Sequence, residues 1–254
     1  MPPTAPIDTS KPGIVLVTGA WHVPAHFDVL RAALSAQGYE VHVPRLPTLS
    51  ATGLTWLDDA RTIQSAVEKR MDDTGKEFVI AAHSYGGVPG CAATKGYTVP
   101  ERAKEGKRGG FRGILFIAAF ALPNPDVDLL TAFGGKFPDW MKVEPAYTKN
   151  ASSFVYPEAH HAFYSDLPKD KADYYWALLE PQSQEAYETP VDRVASNCGI
   201  PHTYLVCEND QALPIPFQEM IITKIPSMKV ERCAAGHSPF ITMPQRVIEV
   251  LEKM

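Results

Sequence analysis

The sequence predicts an α/β fold: about six mainly parallel strands flanked by helices, with a cap inserted after the fourth strand. Two observations predict it. Short apolar runs alternate with stretches of helical period over most of the 254 residues, and a strand that returns through a helix to its own direction pairs in parallel. The alternation breaks once, between residues 122 and 194, where prolines and aromatics replace it. The chain is 45% hydrophobic and 21% charged, a globular balance that supports one substantial core. Residues 1–254 are therefore read as a single domain carrying a cap insertion at about 122–194.

The elements follow in order. Ile14-Val15-Leu16-Val17 is a buried strand that runs into Thr18-Gly19-Ala20-Trp21. Residues 24–37 form a helix, with Pro24 in its first turn, Phe27, Leu30 and Leu34 on one face, and Gly38 as its stop. Residues 40–43 are the second strand. Residues 55–73 make a long amphipathic helix with Leu57, Ala60, Ile63, Val67 and Met71 on its apolar face. Residues 78–83 are the third strand, and a helix runs from just after Ser84 to about Lys95. The basic, Gly-rich stretch 102–108 reads as a solvated loop. The fourth strand covers 113–118. After the insertion come a strand at 203–207, a helix near 216–225, a strand at 229–233 and a last helix from Pro244.

The third strand ends in Ala82-His83-Ser84-Tyr85-Gly86-Gly87, and small residues follow. A strand, a very tight turn and a helix with serine at the apex strain that serine's backbone and push its hydroxyl off the sheet edge. The amides at the start of the helix point at the same spot and favour developing negative charge. Only small residues fit around such a turn, hence Ala82 and Gly86. Ligand sites in these sheets form at the carboxyl ends of strands. There the chain places Ser84 after the third strand, Glu208 and Asp210 after the fifth, and His237 after the sixth.

In this order of serine, acid and histidine, the chain resembles the α/β-hydrolase superfamily. Within it, the likeness is to the plant methylesterase and hydroxynitrile lyase group and to similar microbial esterase-like proteins. Residues 15–22, Val-Leu-Val-Thr-Gly-Ala-Trp-His, resemble that group's first strand and oxyanion loop. Cys207-Glu208-Asn209-Asp210-Gln211-Ala212-Leu213-Pro214 resembles its acid loop, and Ala235-Gly236-His237-Ser238-Pro239 its histidine loop. The resemblance implies Ser84 as nucleophile, His237 as general base, Asp210 as the acid that orients it, and the backbone amides of Ala20 and Tyr85 as oxyanion donors. Glu208, Asp126 and Asp128 are the alternative acids. The chain departs from the hydroxynitrile lyases, with Ser238 where they carry lysine and Gly19 where they use threonine, which argues against cyanohydrin cleavage. Thr18 replaces the histidine that many hydrolases have in the oxyanion loop.

The expected reaction is cofactor-independent cleavage of a carboxylic ester or lactone. The same triad elsewhere on this fold serves C–C bond hydrolysis, lyase and rearrangement chemistry, and the fold also hosts hormone receptors. The insertion's aromatics predict an apolar pocket, with Trp21, Phe133, Trp140 and Trp176 as its candidate walls. His83 reads as a supporting group behind the nucleophile. His22 and His26 have a helical metal-ligand spacing but lack a third ligand, and His160-His161 cannot converge on one ion, so no metal site is expected. The four cysteines show no C-x-x-C or zinc spacing, and three of them, in or beside apolar runs, read as reduced, buried thiols. A net charge of −5 argues against nucleic acid or an anionic membrane as partner. Residues 1–12 lack the apolar core of a signal peptide, and no run is long enough to span a membrane. The expected protein is soluble and cytoplasmic, acts on a small molecule, and leaves a homodimer open.

Overall fold

The computed structural model describes residues 6–132, 134–144 and 151–254. Its main sheet has six strands: β1 (Gly13–Val17), β2 (Val41–His42), β3 (Glu77–His83), β4 (Gly110–Ile117), then, beyond the insertion, β8 (His202–Cys207) and β9 (Lys229–Cys233). The spatial order is β2-β1-β3-β4-β8-β9, and every pairing is parallel. In this register Val17 lies opposite Ala82, and Cys207 opposite Cys233. The carboxyl ends of β1, β3, β8 and β9 therefore sit along one edge of the sheet.

Alternate residues of each strand face opposite layers, as the two-residue repeat requires. Val15, Val17, Ile80, Ala82, Ile114 and Phe116 pack under the helices Trp56–Ser65 and Gly87–Ala92 and under the insertion. Ile14, Leu16, Val79, Ala81, Leu115 and Ile117 pack against the helices Asp28–Ala36 and Pro244–Leu251. Both faces are covered, which is why these strands read as continuous apolar runs.

Three expectations need correction. The helix expected over 55–73 is two helices, Trp56–Ser65 and Glu68–Thr74, interrupted at Val67 (φ −131°). Thr55 caps the first: its hydroxyl accepts the Leu57 amide, and Asp58 reaches back to the Thr55 amide. That start turns Trp56, Asp59, Ala60 and Ile63 inward and leaves Leu57 exposed. The stretch 102–108 is not wholly solvated. Arg102 belongs to a helix, Val99–Lys104, and its buried guanidinium pairs with Asp72 and the Arg108 carbonyl.

The insertion also contains strands that no sequence pattern predicted. β5 (Met141–Glu144), β6 (Ser152–Val155) and β7 (Gln182–Ser183) form a small antiparallel sheet. Strands of two to four residues are too short to show a readable alternation. This sheet is joined to the loop after β2: the Ser183 amide bonds the Thr48 carbonyl and the Ser50 amide bonds the Pro181 carbonyl. Among the described residues no helix is long and apolar enough to cross a membrane.

Candidate active site

Ser84 is the first residue after β3 and opens a 3₁₀ turn, Ser84–Gly86, that continues into the helix Gly87–Ala92. Its φ is +51°, a left-handed conformation that costs a non-glycine residue about 1–2 kcal/mol. The surroundings hold it there. A Cβ on Gly86 would lie 2.5 Å from the Thr18 carbonyl oxygen and 2.7 Å from that of Val17, so only glycine lets the turn close against β1. The Ser84 carbonyl accepts the Phe120 amide beyond β4.

Asp210 and His237 stand just beyond the last two strands of the main sheet, β8 and β9. The Glu208 amide bonds the Cys233 carbonyl and the Asn209 amide bonds the Ala235 carbonyl, which stitches the two loops together. His237 Nδ1 lies 2.7 Å from Asp210 Oδ2. Asp210 Oδ1 accepts the amides of Ala212 and Leu213, each at 2.8 Å. With Nδ1 engaged, Nε2 is the ring nitrogen left for chemistry. Glu208 is largely exposed and faces Arg232. Asp128 accepts the Thr131 amide and hydroxyl at the start of a short helix. Of the four carboxylates considered, only Asp210 is bonded to the histidine.

The histidine loop is fixed from two sides. Asp166 accepts the Gly236 amide and the Ser238 hydroxyl donates to the Phe163 carbonyl, both from the insertion. Beneath, His83 Nε2 donates to the His237 carbonyl at 2.9 Å, and burial holds the His83 pKa well below its usual value. His83 thus braces the backbone of the histidine loop. His22 Nδ1 donates to the Ala20 carbonyl and its Nε2 accepts the Tyr164 hydroxyl, while His26 Nδ1 accepts the Val23 amide and its Nε2 donates to the Tyr175 carbonyl. They brace the loop after β1 against the insertion.

Ser84 and His237 open into one cavity of about 230 Å³. Ala20 and Tyr85, whose amides were expected to hold an oxyanion, also line it. Its walls are apolar, with Trp21, Trp140, Phe163 and Tyr187 prominent. Trp21 stacks on Phe163 and Tyr187 and meets Trp140 edge-on, and Phe163 lies over the His237 ring. Of the expected wall residues, Trp21 and Trp140 are in place and Phe133 lies outside the described residues. Trp176 does not line the cavity: its helix buries Ala172 and Tyr175, and the next position turns Trp176 toward His160. Tyr187, Phe120 and Phe217 line the cavity without having been foreseen. Tyr187 sits on a four-residue helix with no readable period.

A family model described as the alpha/beta hydrolase family matches residues 14–250. The chain belongs to the alpha/beta hydrolase family. A curated relative from Aspergillus novofumigatus, named alpha/beta hydrolase nvfD, is 27% identical over 245 residues, 95% of each chain. Among solved structures, polyneuridine aldehyde esterase aligns with a TM-score of 0.74 at 19% identity, covering 96% of this chain and 98% of its own. Tomato methylketone synthase I, complexed with 2-tridecanone, aligns with a TM-score of 0.71 at 18% identity, covering 96% and 97%. At these identities the structures share the fold. As an alpha/beta hydrolase, the chain carries Ser84, Asp210 and His237 in that order, each in a loop that follows a strand of the main sheet.

Proposed function

We propose that this alpha/beta hydrolase cleaves a carboxylic ester or lactone of a small apolar or aromatic molecule through an acyl-enzyme on Ser84. One observation carries the reading: a strained Ser84 and a His237 already bonded to Asp210 share one aromatic-walled cavity. His237 Nε2 takes the Ser84 proton as Oγ attacks the carbonyl carbon. The Ala20 and Tyr85 amides receive the oxyanion. The imidazolium, stabilised by Asp210, then protonates the departing alkoxide. Water activated by the same imidazole releases the acid and restores Ser84. Every proton moves between Ser84, His237, substrate and water, so the cycle calls for no cofactor.

The cavity's aromatic walls favour aryl or apolar acyl and alcohol groups over small polar ones. The test is a panel of chromogenic aryl, alkyl and lactone substrates assayed with wild type and Ser84→Ala. Turnover that vanishes in the variant, with an unchanged circular dichroism spectrum and a mass-detected acyl adduct on Ser84, is the expected result. Turnover that survives Ser84→Ala overturns the nucleophile. Turnover without any acyl adduct points to proton-transfer chemistry on the same triad. A preference for small polar esters overturns the substrate class.

A further inference from the structure

A chain of buried polar groups runs from one side of the proposed oxyanion site to the other, and the reaction as written does not use it. Tyr85 Oη donates to Asp59 Oδ2 at 2.7 Å. Thr48 Oγ1 donates to the same oxygen at 2.8 Å, and the Thr48 amide donates to Asp59 Oδ1 at 3.1 Å. Gln182 Nε2 donates to Thr48 Oγ1 at 3.1 Å. Gln182 Oε1 accepts the Trp21 amide at 2.9 Å. Tyr85, Asp59, Thr48 and Gln182 have no solvent exposure, so water cannot replace a lost partner.

The ends of this chain are the residues that matter. Tyr85 follows the nucleophile and carries one oxyanion amide. Trp21 follows Ala20, which carries the other. Trp21 has φ +63°, a conformation it leaves unless held. Its holders all come from the insertion. Its amide goes to Gln182, its carbonyl accepts the Glu180 amide, and its indole N–H reaches Ser153. Oxyanion donors act only when aimed within a few tenths of an ångström at the charge that forms in the transition state.

We infer that Gln182, Thr48 and Asp59 are positioning residues that set the Ala20 and Tyr85 amides in mutual register, so that the small sheet of the insertion completes the oxyanion site. The role rests on the ester-hydrolase reading. A loosened oxyanion site weakens binding of the transition state and leaves ground-state binding of an apolar ester nearly untouched.

The experiment compares wild type, Gln182→Leu, Thr48→Val and Thr48→Ser. The readouts are kcat and KM on an aryl ester, affinity for a phenylboronic acid that mimics the tetrahedral adduct, and amide exchange of the peptide spanning residues 18–24. Gln182→Leu and Thr48→Val are expected to lower kcat and boronate affinity together, by about 10- to 100-fold, with KM within about two-fold. Thr48→Ser restores the hydroxyl and is expected to recover wild-type values. Exchange at residues 18–24 is expected to speed up in Gln182→Leu. If Gln182→Leu does not fold, Thr48→Val and its serine rescue decide. Folded variants with unchanged kcat and boronate affinity overturn the inference. A wild type that neither turns over esters nor binds the boronate instead overturns the ester-hydrolase reading. In that event unchanged exchange at residues 18–24 separately overturns the positioning role.

Discussion

His237 Nδ1 and Asp210 Oδ2 lie 2.7 Å apart, and the other carboxylate oxygen of Asp210 is held by two backbone amides. Both side chains are almost fully buried. The acid therefore cannot turn away, and the imidazole is locked with its proton on Nδ1. Asp210→Asn keeps the shape but presents an NH₂ group to Nδ1, which favours the wrong tautomer. The expected result is a kcat about 10³- to 10⁴-fold lower with little change in KM. Glu208→Gln, on an exposed side chain, is expected to leave kcat within about two-fold, as surface changes usually do. Steady-state kinetics on the two variants checks which carboxylate serves the histidine. A larger loss in Glu208→Gln would reassign it.

The turn around Ser84 makes a second prediction, on stability. Gly86→Ala forces a methyl to within 2.5 Å of a backbone oxygen of β1. Neither partner is a flexible side chain, so the main sheet itself must move. A loss of about 3 kcal/mol or more is expected, at the severe end for a single substitution. Gly96→Ala is the control. Gly96 has φ +77° with nothing within 4 Å of the added methyl, so only backbone strain is introduced, about 1 kcal/mol. Urea unfolding of both variants separates collision from strain. Equal losses would show that the approach of the turn to β1 is not tight.

The central strands of the main sheet were legible because they are buried on both faces and read as unbroken apolar runs such as Phe78-Val79-Ile80-Ala81. Ser84 and Asp210 were legible because each follows such a run, and His237 through its loop, Ala235-Gly236-His237-Ser238-Pro239. The insertion was not. Its strands have two to four residues, and one pairing spans a long stretch of sequence, Ser153 with Gln182, so no local period marks them. Leu57 was misplaced for a different reason. The apolar face was drawn from the spacing of Leu57 and Ala60, whereas the cap at Thr55 set the rotation that buries Trp56 and Asp59 instead. Asp59 carries no local signal, because its partners Tyr85 and Thr48 lie 26 and 11 residues away in the sequence.

Substrate preference gives the third prediction. Trp140 meets Trp21 and Phe163 edge-on at the cavity wall and belongs to the insertion, not to the sheet that carries Ser84. Trp140→Ala removes aromatic area from the pocket without touching the Asp210–His237 pair. KM for an aryl ester is expected to rise about 10-fold or more, from the lost contact area. The value for a short aliphatic ester should move much less. The comparison is made on kcat/KM for the two substrates. An equal loss on both would mean that Trp140 supports the fold of the insertion and not the bound ring.

Asp59 yields the last prediction. Burial pushes its pKa up to about 7 from an ordinary 3.8, against the opposing pull of hydrogen bonds from Tyr85 and Thr48. The folded protein therefore holds this proton over a range where the unfolded chain has released it. Below about pH 4 both states are protonated and Asp59 sets no pH dependence. Between pH 4 and 7 the unfolded chain ionises first, and the contribution of Asp59 to stability falls as pH rises. Above pH 7 both are ionised, and the full expense of burying the charge is felt. Asp59→Asn does not titrate, so it is expected to flatten this part of the profile while lowering the baseline, because its NH₂ group cannot accept the Tyr85 and Thr48 hydroxyls that share one carboxylate oxygen. Urea midpoints between pH 4.5 and 8 should show wild type losing about 1–3 kcal/mol more than the variant across that window. Parallel profiles for the two proteins would show that the three donors from Tyr85 and Thr48 offset the burial and keep Asp59 ionised throughout.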